Sequence, residues 1–174
     1  MYILLIDDAM DITGKIVQNG LELKKYKEVM GHEGPAFSCE IWHNGKKAVL
    51  VMNDGNGGCN SYHEYEKGIV DLLAEIGKAE ADYDPEDHTV TEMLVMLGRK
   101  RQMARWAKKG LDYAVEVVFK EPDILAKSPT FEYDVQMFAA DSEQQVIAGL
   151  SRLKKPFKRA HWIKPDGSLG DALP

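Results

Sequence analysis

Cysteine is scarce in this chain: 174 residues hold two, Cys39 and Cys59. That excludes a disulfide framework and a four-thiol zinc site, and reduced thiols are the expectation. Long apolar runs are missing as well. Segments such as Ala48 to Met52 fall far short of the roughly 20 residues that cross a bilayer, and Met1 leads into the short run Tyr2 to Ile6 without a basic leader. These absences predict a cytoplasmic protein with no membrane partner. No phosphate-binding loop, dinucleotide fingerprint, internal repeat or low-complexity tract is visible, so no cofactor is expected. What is present, 44% hydrophobic and 29% charged residues, suits a chain that buries a core, read most simply as one domain over residues 1–174.

The net charge of -6 conceals an uneven distribution. Between Glu64 and Glu92 the acids Glu64, Glu66, Asp71, Glu75, Glu80, Asp82, Asp84, Glu86, Asp87 and Glu92 are opposed only by Lys67 and Lys78. The next segment reverses the sign with Arg99, Lys100, Arg101, Arg105, Lys108 and Lys109, and Arg152, Lys154, Lys155, Lys158 and Arg159 repeat the basic theme. Blocks of this kind imply a surface polarised by charge.

Along the chain, Tyr2 to Ile6 reads as a short strand ending at Asp7-Asp8, and Gly14 to Gly20 as a turn or second short strand. Leu21, Leu23 and Val29 alternate weakly in a lysine-rich segment, which suits an edge strand shielded by Lys24, Lys25 and Lys27. From Ala36 to His43 the alternation is clean, with Phe37, Cys39 and Ile41 on one face and Ser38, Glu40 and Trp42 on the other. Asn44-Gly45 then predicts a tight hairpin into Lys46 to Met52. The glycine-rich stretch Asn53 to Cys59 leads into Asn60 to Tyr65, either a returning strand or the opening of a helix.

Ile69, Leu72, Leu73 and Ile76 predict a helix from about Glu66 to Ala79. An acidic loop, Ala81 to His88, follows. Thr89 and Glu92 have the spacing of a capping box opening a long helix to about Lys108, which Gly110 ends. Leu111 to Lys120 and Phe131 to Ala140 read as two paired strands joined by a loop with Pro122 and Pro129. Asp141 caps a last helix with Val146, Ile147, Leu150 and Leu153 as its stripe, and Pro156 stops it. The tail 157–174 reads as loop, with Trp162 and Ile163 docking on the body. Together these elements predict an α+β fold, a mostly antiparallel sheet of about five strands with about three packed helices.

The candidate sites follow from this layout. The turn of Asn53, Asp54, Gly55, Asn56, Gly57 and Gly58 offers consecutive backbone N–H groups that suit an anion, or else a bend that shapes the sheet. Asp54, Cys59 and His63 supply the residue types of an orienting acid, a nucleophile and a base, the basis for a small hydrolase or transferase. His32, Cys39, Cys59 and His63 match no recurrent metal spacing, so no metal is expected. The basic segment Arg99 to Lys109, with Trp106 as a stacking surface, suits nucleic acid, although the acidic balance of the whole chain opposes that reading. Its alternative is a partner-binding surface of Asp82, Asp84, Glu86, Asp87, Arg99, Lys100, Arg101, Arg105 and Trp106 on a non-enzymatic protein.

Two resemblances bear on these readings. Ile3 to Asp8 resembles the first strand and acidic pair of response-regulator receiver domains, but it ends within about ten residues, because consecutive antiparallel strands follow where a receiver has βα units. Ala36-Phe37-Ser38, Asn44-Gly45-Lys46-Lys47 and Asn53 to Cys59 together resemble uncharacterised accessory proteins of phages and plasmids, over about a quarter of the chain, reaching toward the Trp106 to Val118 junction. That resemblance implies an anti-defence type of protein in the host cytosol. Such a protein binds a host protein or protein complex and inhibits or modulates it.

Overall fold

A computed structural model describes residues 12–78, 81–120, 133–154 and 156–173. The expected strand at Tyr2–Ile6, the Asp7-Asp8 pair and the loop with Pro122 and Pro129 lie outside the described residues. The class is α+β with antiparallel pairing throughout the described strands, which form two four-stranded sheets instead of one of about five strands. The chain divides between Val95 and Met96 into two compact units.

The first unit opens with α1 (Ile12–Gln18), in the stretch read from sequence as a turn or strand. Ile12 and Ile16 stand four residues apart and are both buried, the spacing of a helix face, while Gly14 within the helix and Gly20 after it mimic turn punctuation. Strands β1 (Leu21–Met30), β2 (Pro35–His43), β3 (Lys46–Asn53) and β4 (Ser61–Glu64) then pair in sequence order. Asn44 and Gly45 both have positive φ, 48° and 80°, as the two-residue hairpin demands. Cys39 pairs with Val51 and Ile41 with Val49, so these buried side chains share one face. Helix α2 (Ile69–Gly77) packs against β3 and β4, and α1 against β1 and α2. Ser38, Glu40, Trp42, Leu50, Met52 and His63 lie on the other face by alternation.

Helix α3 (Pro85–Ala107) starts four residues before the expected capping box. Proline is favoured at a first helical position, where its missing N–H has no partner to lose, and Asp84 precedes it with φ 46°. Thr89 therefore lies inside the helix, fully buried, and its hydroxyl donates to the carbonyls of Leu73 at 2.7 Å and Pro85 at 3.3 Å.

In the second unit β5 (Tyr113–Lys120) pairs with β6 (Tyr133–Ala140) as expected, and also with β7 (Phe157–Ile163), which pairs with β8 (Leu169–Ala172). The tail read as loop thus supplies half of a sheet. Val115, Val117 and Phe119 point to α4 (Glu143–Ser151) and pack with Val146, Leu150 and Leu153. Ala114 joins Met103 and Ile163 on the opposite face. Burial on both faces explains the nearly unbroken apolar run of β5. Ser142 stands at the N-cap of α4 where Asp141 was expected, and Ile147 is 45% exposed, so the stripe is narrower than its spacing suggests.

Candidate functional site

The glycine-rich turn is braced from within. Asn53 donates from Nδ2 to the Gly58 carbonyl at 3.1 Å and to Asn60 Oδ1 at 3.0 Å, while its Oδ1 accepts from Gly55 N–H at 2.9 Å. Asp54 Oδ1 accepts from Asn56 N–H at 3.0 Å. Two of the N–H groups that an anion would need are thereby occupied by the turn's own side chains. The turn also docks on the β1–β2 connection: Glu33 N–H donates to the Gly55 carbonyl at 2.8 Å, and a Cβ on Gly55 would stand 2.8 Å from the Gly34 carbonyl and 2.9 Å from Ala36 N. With φ at 74° and backbone on that side, only glycine fits here. This geometry is that of a bend shaping the sheet.

Cys59 and His63 are not joined by a hydrogen bond. The exposed Cys59 thiol donates to Asp84 Oδ2 at 3.3 Å, and the Asp84 carboxylate, chiefly through that bond, raises the thiol above its ordinary pKa. An anion beside a thiol disfavours the thiolate, the reverse of what activates a nucleophile. His63 packs edge-on against Tyr65, ring centroids 4.9 Å apart, and Asp54 holds the turn. Cys39 is buried at 1% exposure, and burial pushes its thiol up to about 12. Among the described residues no group of three or more metal-ligating side chains comes together.

The acidic segment is largely engaged inside its own unit. Asp87 accepts from Asn60 N–H at 3.0 Å through Oδ2 and from the Tyr62 hydroxyl through Oδ1, tying β4 to α3. Burial, and then the Asp87 bond, raise the Tyr62 phenol well above its ordinary pKa. Glu64 accepts from Val70 N–H at the start of α2, and Glu66 meets His43 Nδ1 at 2.7 Å. Of the acids expected at a partner surface, Asp82 is exposed, Glu86 is half-buried, and Asp84 and Asp87 serve as tethers. Sequence reasoning missed Asn60 and Tyr62, whose partner lies more than twenty residues on and leaves no local pattern.

The basic segment sorts by helical geometry. Met96, Arg99 and Met103 form the buried stripe of the C-terminal half of α3, and half-buried Trp106 packs on the Met103, Ala114 and Ile163 cluster. Arg99 is not part of any exposed surface: Nε and Nη2 donate to the two carboxylate oxygens of Glu116, each at 2.7 Å. Lys100, Arg101, Arg105, Lys108 and Lys109 are exposed. Arg101, Arg105 and Lys108 recur at i, i+4, i+7 and so share one side of the helix line. Lys100, Arg105, Lys108 and Lys109 have no carboxylate partner among the described residues.

Neither protein-family models, nor curated proteins, nor solved structures show a match to this chain. Among the described residues no helix is long and apolar enough to cross a membrane.

Proposed function

We propose that the protein is a non-enzymatic binding protein that docks an acidic surface of another macromolecule through the outer side of the C-terminal half of α3, and so inhibits or modulates that partner. The observation that carries this reading is the exposed set Lys100, Arg101, Arg105, Lys108 and Lys109, cationic in a chain of net charge -6. Lys100, Arg105, Lys108 and Lys109, which have no carboxylate partner among the described residues, gain most from an anionic surface that excludes salt and water. A bland account exists for Lys108 and Lys109, which complement the helix macrodipole at its C-terminal end. It does not extend to Lys100 and Arg101, more than one turn earlier.

The resemblance to accessory proteins of phages and plasmids supports a host protein or protein complex as the partner. Nucleic acid is the second reading for the same cations; the half-buried Trp106 and the acidic total charge favour protein. The test is capture of partners from host lysate on the tagged protein, with and without nuclease. The comparison is a Lys100→Glu, Arg101→Glu, Arg105→Glu variant whose thermal melt is checked first. We expect one protein partner that survives nuclease and is lost from the variant. A partner kept by the variant, or material that disappears with nuclease, overturns the reading.

A further inference from the structure

The face of the first sheet opposite Cys39, Ile41 and Val51 carries a row of side chains that spans all four strands. Lys27 pairs with Ser38, Ser38 with Met52, and Met52 with Ser61. Directly opposed residues project to the same side of a sheet, about 4.8 Å apart from strand to strand. This row lines a cleft of about 550 Å³, to which Val29 adds apolar surface on the same side of the sheet and the glycine-rich turn adds a wall. The volume lies within the span of small-molecule sites, roughly 300–1,000 Å³.

The polar groups around the cleft fall into two classes. Asn53 and Cys59 are committed to the turn and to Asp84, Asp54 Oδ1 accepts from Asn56 N–H, and Glu28 accepts from the Tyr26 hydroxyl. Lys27 and the hydroxyls of Ser38 and Ser61 have no hydrogen-bond or ion-pair partner among the described residues. Lys27 stands apart from its neighbours in this respect. Lys24 pairs with Glu22 at 3.0 Å, and Lys25 and Lys47 pair with Glu40 at 3.2 and 3.1 Å.

We propose that this cleft binds a small amphiphilic anion with a singly charged head, a carboxylate on an apolar body. The head takes the Lys27 ammonium and the Ser38 hydroxyl, and the body lies over Met52 beside Val29. Ser61 offers a hydrogen bond at the far end of the row. The carboxylate of Asp54 on the same lining opposes a second negative charge, so a monoanion is preferred to a phosphate monoester dianion. The proposal uses no residue of the basic side of α3 and stands apart from the function proposed above.

The probes are octanoate, 1-octanol and octyl phosphate, titrated by calorimetry into the full chain and followed in spectra of [13C-methyl]methionine-labelled protein. We expect octanoate to bind with one-to-one stoichiometry and to move the Met52 methyl signal but not that of buried Met103. Lys27→Gln, an exposed substitution, removes a charge-assisted contact and weakens octanoate about tenfold or more, while Lys109→Gln leaves it unchanged. Octanol binds wild type and Lys27→Gln alike, and more weakly than octanoate binds wild type. An unmoved Met52 signal, equal octanoate affinity in Lys27→Gln, or tighter binding of octyl phosphate overturns the proposal.

Discussion

Arg99 and Glu116 form a bidentate ion pair inside the second unit, both contacts at 2.7 Å and both side chains 7% exposed. Arg99 Nη1 is buried without a partner among the described residues, so the guanidinium is desolvated beyond what Glu116 repays. Removing one partner strands a buried charge, and Arg99→Met is expected to lower stability by about 3–5 kcal/mol in urea melts. The double variant Arg99→Met, Glu116→Leu should recover most of that loss, because neither charge then needs solvation. A loss under about 1 kcal/mol in the single variant would mean that water screens the pair.

The two thiols should separate cleanly in reactivity. Cys39, buried beneath the sheet, reacts with a thiol reagent only on unfolding, whereas exposed Cys59 reacts in the native protein. One of the two cysteines should therefore titrate before urea and both after it. Asp84→Asn removes the anion that holds the Cys59 thiol protonated, and its alkylation by iodoacetamide near neutral pH should speed up. An unchanged or slower rate contradicts the Cys59–Asp84 contact.

Glycine to alanine has opposite expected signs at two positions. A Cβ on Gly77 would lie 1.9 Å from the Pro85 carbonyl and 2.9 Å from Thr89 Oγ1, where α2 and α3 pack backbone to backbone. Gly77→Ala should cost about 3 kcal/mol, since the obstacle is main chain and cannot turn aside. Gly98, inside α3, has nothing within 4 Å of its Cβ position. Gly98→Ala should stabilise by about 0.5–1 kcal/mol through helix propensity alone. Chemical denaturation of both variants checks the pair, and equal signs would contradict the packing.

The legible parts of the fold are those written in local pattern. Alternation across Phe37, Cys39 and Ile41 and the Asn44-Gly45 turn identify β2 and β3, and the Ile69, Leu73, Ile76 spacing identifies α2. β7 was hidden because its inward positions are small or few: only Ala160 and Ile163 are buried, among Lys158, Arg159 and His161. Arg99 was grouped with exposed cations because composition does not report which side of a helix a charge occupies; Met96 and Met103, three residues before and four after it, were the available signal. The row of Lys27, Ser38, Met52 and Ser61 depends on the register of three strand pairs, with a bulge between Lys24 and Lys27 shifting one of them. No local pattern encodes that register.

Glu40 gives the molecule a defined acid sensitivity. Its carboxylate accepts from Trp42 Nε1 at 3.0 Å and pairs with Lys47 at 3.1 Å and Lys25 at 3.2 Å. The Trp42 bond first, then those of Lys47 and Lys25, lower its pKa from 4.5 to about 2 in the folded state. A depressed carboxyl pKa means that the unfolded chain binds the proton more readily. The stabilisation is therefore fully present above pH 4.5 and is lost as pH falls toward about 2. Glu40→Gln cannot titrate, so wild type should melt higher than the variant at about pH 6 and the gap should close as pH falls through that window. Added salt should narrow the gap at the higher pH, because the Lys25 side chain is 67% exposed and its share is screened. A melting difference that stays constant from about pH 6 down to about pH 2 would show that Glu40 contributes by shape and not by charge.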